Sequence, residues 1–366
     1  MELKNKKILI AAQYAPPYAG NFIPSLKKLS EKLVILGNDV NFAFPKSACN
    51  HDWAKALANK YIVYFTGDNS SLVTRKDLER LTPFDLVYTH FEGYDTAFIQ
   101  SMPNTTKFVW HMQDSFSFHP NPLKAAYQVY AFWKHYGKPF YKYDISLISV
   151  NDHERNFIRP YRLGRKIHEI TIHNGIDISR VEQHKDKSNK PFIFLAYGGR
   201  NVSKRVDIIL KAGEMLNNIV KDGWRVMITK GTDTEDVIRI FYGNKLPDWL
   251  TLVNQVKDIN DLLAKANCFI SSSDYETFSY AVAEAVVAAI PVIQSDIAGT
   301  KWNEKSPATL VFPQGNAKIL CQKMKEILET PYEKLTSNAD SAREQIIGSL
   351  SLDSWTDRIL DFFKSI

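Results

Sequence analysis

The 366-residue chain has only three cysteines, Cys49, Cys268 and Cys321. They are odd in number and widely spaced, so they form neither a disulfide framework nor a metal-ligand cluster, and they point to a reducing compartment. No run of about 18 apolar residues occurs, which excludes a membrane-spanning helix. The opening MELKNKKILIAAQ puts basic residues before an apolar run. That run is only about five or six residues long and has no small-residue cleavage site, so it reads as a first buried strand and not as a signal peptide. No G-x-G-x-x-G is found, which leaves no ground for a nicotinamide or flavin cofactor. No short-period repeat occurs.

What is there suits a globular protein, with 45% hydrophobic and 23% charged residues. The length exceeds one ordinary core and fits two domains. Charge is uneven. Residues 1–172 hold 22 Lys and Arg against 15 Asp and Glu, and the remainder holds 24 against 25. The basic first half suggests an anionic partner, and a basic surface that is simply solvated reads equally well. The stretch 120–143, PNPLKAAYQVYAFWKHYGKPFYKY, mixes aromatic side chains (Tyr127, Tyr130, Trp133) with Lys134, Lys138 and Lys142. Such a mix suits the interface of an anionic membrane, and equally an internal aromatic helix.

Short apolar runs at Lys7–Ala12, Asp39–Phe44, Tyr61–Phe65, Leu86–His90, Lys107–His111 and Ile145–Val150 predict strands, with a helix over residues 23–36. The pattern restarts at Phe192–Tyr197, with a helix over 206–218. Strands are predicted at Arg225–Thr229, Leu250–Val253, Asn267–Ser271 and Pro291–Gln294, and a helix over 277–289. Strands alternating with helices predict parallel sheets covered on both faces. The two halves join near Asn174-Gly175-Ile176-Asp177, before the polar linker EQHKDKSNK. Residues 1–173 with the last helix (351–366) are expected to make one domain and 174–350 the other.

Three constellations carry chemistry. The first is SSSDYETFSYAVAEAVVAAIPVIQSDIAG over Ser271–Gly299. Glu276 is placed at the start of the predicted helix and Glu284 within it. A carboxylate in an Ala- and Val-rich helix is costly unless it is paired or meets a ligand. Eight helical steps span up to ~12 Å, about the reach of a nucleotide sugar from ribose to hexose. Carboxylates accept paired hydrogen bonds from vicinal hydroxyls. Free N–H groups of Thr277, Phe278 and Ser279 would face a diphosphate at the positive end of the helix. The same two acids also read as a helix cap and a structural pair. The second constellation is Gly198-Gly199-Arg200-Asn201-Val202-Ser203-Lys204-Arg205, which follows a strand. In open α/β sheets ligands bind beyond the carboxyl ends of the strands, and three cations there suit a diphosphate leaving group. The third is the loop Pro16–Asn21, where Gly20 allows close backbone approach to a ligand. His90 and His111 close two predicted strands, and Asp114 follows three residues after the second.

Together these residues resemble a retaining glycosyltransferase of family 4. Asn174–Asp177 is similar to that family's N-G-[IV]-D, Gly199-Arg200 with Lys204 to its diphosphate loop, and Glu276 with Glu284 to its E-x7-E motif. The resemblance implies a GT-B fold, two Rossmann-like domains facing across a cleft, with the last helix (Ser354–Lys364, with Trp355) crossing back to the first. It implies that Glu284 holds the ribose and Glu276 the donor sugar, that Arg200 and Lys204 hold the diphosphate, that Gly20 approaches it, and that His111 lies near donor sugar and acceptor. The family usually has glycine where Thr277 and Ser279 stand. The cationic loop is one residue shorter than the commonest form, so Lys204 and Arg205 both stand for the lysine. The implied reaction retains configuration, with the leaving phosphate helping to deprotonate the acceptor, and needs neither cofactor nor metal. The expected partners are a nucleotide-sugar donor, most readily a UDP-sugar, and a lipid-linked or polysaccharide acceptor at the inner membrane surface, in cell-surface polysaccharide synthesis. No nucleic acid is expected. Base recognition is expected near Asn254–Lys257. Two rivals stay open: a nucleotide-sugar 2-epimerase, and a non-catalytic subunit that stabilises a partner glycosyltransferase.

Overall fold

The computed structural model describes all residues except 1, 69–76, 78–80, 82, 92–93, 95–97, 100–101, 104, 115–120, 163, 184–190 and 200–201. Most of the expected linker, and Arg200 and Asn201 of the cationic loop, therefore lie outside the described residues. The chain forms two compact units, Met1–Gly175 with Leu352–Ile366, and Ile176–Ser351.

In the first unit the strands are β1 (Lys7–Ala12), β2 (Asp39–Pro45), β3 (Ile62–Thr66), β4 (Leu86–His90), β5 (Lys107–Met112), β6 (Ile145–Ser149) and β7 (Glu169–Thr171). They lie in the order β3-β2-β1-β4-β5-β6-β7, all parallel. Side chains alternate across a strand, so β1 feeds two separate cores. Ile8, Ile10 and Ala12 enter one, and Leu9 and Ala11 the other. The helix Leu352–Ser365 adds Trp355, Ile359, Leu360, Phe362 and Phe363 to the first of these cores.

The second unit has β8 (Phe192–Ala196), β9 (Trp224–Thr229), β10 (Leu250–Val253), β11 (Cys268–Ser271), β12 (Val292–Ser295) and β13 (Thr309–Phe312). They lie in the order β10-β9-β8-β11-β12-β13, again all parallel. In each sheet the strand order reverses once, between β1 and β4 and between β8 and β11. That reversal is where the loops after two neighbouring strands diverge and leave room for a ligand.

The helix expected over 277–289 is shorter, Tyr280–Val287. Ser279 is its N-cap: it is extended, and its side chain accepts from the Val282 N–H. At the other end Ala289 takes φ +57°. The Ile290 N–H bonds to the Ala285 carbonyl and the Ala289 N–H to that of Val286, a closing turn that ends the helix before Pro291. Glu276 consequently stands in the loop before the helix and not at its start. The ~12 Å helical span therefore does not measure the separation of the two acids.

Candidate active site

The loops after β8 and β11 meet at the strand-order reversal of the second unit and are stitched together. The Asp274 N–H donates to the Ser203 carbonyl at 2.8 Å, and the Ser272 hydroxyl to the Lys204 carbonyl at 2.7 Å. This brings Lys204 Nζ to 2.7 Å from Glu276 Oε1, and the Ser273 hydroxyl donates to the same oxygen at 2.7 Å. The Lys204 side chain is 30% exposed and that of Glu276 15%. The pair is thus half-buried, with three donors on one ammonium and four acceptor positions on one carboxylate.

The position of Glu276 is fixed from below by Gly299. A Cβ at residue 299 would stand 2.2 Å from the Glu276 carbonyl oxygen, so a side chain there would displace the loop. The Gly299 carbonyl accepts from the Ser279 N–H at 3.0 Å and from the Trp302 indole at 3.0 Å. Phe278 stacks on Trp302. The expectation of a free Ser279 N–H is therefore corrected, since Gly299 takes it. Thr277 and Phe278 sit in the loop between Glu276 and the cap. Glu284 is half-buried within the short helix, whose other inward residues are Val282, Ala283, Ala285, Val286 and Val287.

The two candidate cations differ in what they touch. Arg205 takes the left-handed conformation, φ 49°, and ends as a fork between two carboxylates. Its Nε and Nη2 bond Asp207 at 2.8 and 3.0 Å, and its Nη1 reaches both oxygens of Asp274 at 2.9 Å. These bonds raise its pKa above the ordinary arginine range and hold Asp207 below the usual carboxylate range. Lys204, not Arg205, is the cation beside Glu276.

In the first unit Gly20 has φ +56°, a conformation open to glycine without strain. His90 and His111 are cross-strand neighbours with ring centroids 4.9 Å apart. Both are fully buried. The strand runs one residue past His111, to Met112, and the imidazole is enclosed by Tyr88 and Trp355. Tyr88 Oη lies 2.5 Å from His111 Nδ1. Burial pushes the Tyr88 phenol well up, so the hydroxyl keeps its proton. Burial lowers the His111 pKa to about 3, and burial with the neighbouring His111 holds His90 well below the histidine range. Beyond the strand end the amides of Gln113 and Asn174 bond each other twice, at 2.8 and 3.0 Å. Sequence reasoning missed this pair, and missed Ser273. The signal for Ser273 was the run of small polar residues after a strand.

The expected membrane-facing stretch forms the helix Pro122–Phe132, a wider turn at Trp133–Gly137 and the short helix Lys138–Lys142. No residue of the first helix is buried. Leu123 is 82% exposed, Tyr127 71% and Tyr141 72%. Inward, Tyr136 and Phe140 pack on Trp110. Of the expected base-recognition residues, Gln255 donates to the Lys230 carbonyl at 3.1 Å.

Residues 177–345 match the family described as Glycosyl transferases group 1. No curated protein matches the sequence. Among solved structures the chain is similar to HepE of Anabaena in complex with UDP, at 15% identity and a TM-score of 0.78, over 98% of this chain and 100% of that one. The similarity extends to HepE with UDP-glucose, at 14% identity and 0.75, over 99% and 100%. Sucrose-phosphate synthase of Thermosynechococcus elongatus is 15% identical with a TM-score of 0.73, over 99% of both chains. A glycosyltransferase of Rickettsia africae is 17% identical with a TM-score of 0.72, over 99% of this chain and 98% of that one. At such identities the likeness carries the fold: two parallel-sheet α/β domains of the GT-B kind.

Proposed function

We propose that this chain is a retaining glycosyltransferase of the family 4 kind that moves a hexose from a UDP-sugar to a lipid-linked or polysaccharide acceptor. The observation that carries the reading is the Lys204–Glu276 pair, 2.7 Å apart at the strand-order reversal of the unit that matches glycosyl transferases group 1. A donor entering there offers each partner a new one. The ammonium takes phosphate oxygens, and the carboxylate accepts from sugar hydroxyls. Glu284 takes the ribose. Lys204, with Arg200 beside Gly199 in sequence, meets the charge that develops on the diphosphate as the glycosidic bond breaks, a role that elsewhere a metal fills. The leaving phosphate then assists the acceptor hydroxyl on the same face of the sugar, so no carboxylate nucleophile is required. Uridine is the proposed base because HepE, which shares the fold, is solved with UDP and UDP-glucose.

Calorimetric titration of UDP, GDP and ADP into the purified protein tests this. UDP is expected to bind, and Glu284→Ala to lose that binding by at least about tenfold, the scale of a hydrogen bond to a charged group. A folded protein that binds none of the three would sink the reading and favour the non-catalytic subunit.

The acceptor side of the proposal rests on residues 120–143, which hold four lysines and no acidic residue. A groove of about 720 Å³ there is lined by Tyr127, Tyr130, Lys134, Lys138 and Lys142 among others. Exposed rings beside lysines suit headgroup depth on an anionic, cytoplasmic membrane surface. Vesicles containing phosphatidylserine should bind the protein at low salt and release it as salt rises. Absence of low-salt binding would remove the membrane from the proposal.

A further inference from the structure

Tyr197 follows β8 directly and stands two residues before Gly199. Its ring packs edge-on against Phe269, with centroids 4.9 Å apart, as a phenylalanine would. Its hydroxyl is different. The oxygen is buried and has no hydrogen-bond partner. Tyr197 is one of the residues that line a small cavity, of about 10 Å³, together with Lys204, Ser273, Glu276 and Ala281. Of the other polar groups that line it, Lys204 and Ser273 both donate to Glu276, and Ser272 donates to the carbonyls of Lys204 and Arg205. An orphaned buried hydroxyl is a cost that a phenylalanine would not carry, and most buried polar groups in folded proteins are paired.

We infer that Tyr197 is a further donor-binding residue, whose hydroxyl donates a hydrogen bond to a phosphate oxygen of the nucleoside diphosphate. The inference rests on the donor site proposed above. A phosphate oxygen is the complement to this group because it carries no hydrogen and accepts only. The sugar hydroxyls, which also donate, are matched by the carboxylates Glu276 and Glu284. Burial and the charge of Glu284 together raise the phenol's pKa, so the hydroxyl keeps the proton it donates.

The test is Tyr197→Phe, which removes the oxygen and leaves the ring. Whichever of UDP, GDP and ADP binds the wild-type protein should bind the variant about tenfold more weakly. Inorganic pyrophosphate should lose competing strength in proportion. Without ligand the variant should melt no lower than the wild type, because an unpaired hydroxyl has been removed. Unchanged nucleotide affinity overturns the inference. A weaker nucleotide with unweakened pyrophosphate moves the hydroxyl to the ribose or base and overturns the phosphate assignment. A lower melting temperature with unchanged affinity marks a structural role only. If the wild type binds no nucleotide at all, the proposed function falls first and this inference falls with it.

Discussion

The two units share one plan, a parallel sheet whose strand order reverses beside its first strand, yet they furnish the carboxyl ends of those strands in opposite ways. In the first unit β4 and β5 end in His90 and His111, fully buried among Phe22, Tyr88 and Trp355, and burial keeps both imidazoles uncharged. In the second the same edge carries Lys204, Arg205, Asp207, Asp274 and Glu276, paired with one another and partly open to solvent. Burying neutral rings is cheap. Holding charges is tolerable only where each is paired and half-solvated, as in the second unit. Topology therefore offers the same ledge twice, and the loop sequences decide which ledge is charged.

Glycines sharpen the contrast, because each unit has glycines pressed against a neighbour, of which Gly299 and Gly175 are compared. In the second unit a Cβ at Gly299 would meet the Glu276 carbonyl oxygen at 2.2 Å, and in the first a Cβ at Gly175 would meet the Trp355 Cβ at 2.8 Å. Both Gly299→Ala and Gly175→Ala are expected to destabilise by about 1–3 kcal/mol through overpacking. Their effects on chemistry should part. Gly299→Ala displaces the loop of Glu276 and should lower the rate of sugar transfer by about a hundredfold, the scale of a misplaced contact. Gly175→Ala should leave nucleotide affinity within about twofold, since sites that share no partners behave independently. Turnover, calorimetric affinity and thermal melts of the two variants decide it. Equal losses of activity in both would mean that Gly299 does not position Glu276.

Much of this arrangement could be read from residue order. All strands except β7 (Glu169–Thr171) and β13 (Thr309–Phe312), which the sequence reading missed, are marked by short β-branched and aromatic runs, and Glu276, Glu284 and the cationic loop stand at spacings that carry a family resemblance. Local detail was harder to read. The Ala- and Val-rich run from Ala281 suggested a helix reaching back to Thr277, but a serine with an extended backbone caps better than it propagates, so the helix begins after Ser279. Nor does sequence tell Lys204 from Arg205. What separates them is the pair of aspartates, Asp207 and Asp274, that surrounds the guanidinium, one of them 69 residues away. His111 reads from its position as a residue at an open rim. Its enclosure depends on Trp355, which packs there only because the last helix returns to the first unit.

The smallest expected effect tests the neutral-ring side of the comparison, and it is a matter of pH. In the unfolded chain a histidine binds its proton near pH 6.5. In the folded first unit burial depresses His90 and His173, and holds His111 down to about 3. Below pH 6.5 the unfolded chain therefore takes up protons that the folded unit refuses, and folding stability falls as pH falls, by up to about 1.4 kcal/mol per pH unit for each such histidine. Carboxylates held low by their partners, such as Glu169 and Asp207, lose their contribution only at lower pH, near and below 4.5. Between pH 6.5 and 5 the decline thus belongs to the histidines, and the second unit has one, His184, which lies outside the described residues. Denaturant unfolding followed by hydrogen exchange over that range should show the first unit weakening while the second holds. His111→Gln should flatten the slope of the first unit by about one proton's worth. A decline of equal slope in both units, or an unchanged slope in His111→Gln, would mean that the buried imidazoles are not what makes the two ledges differ.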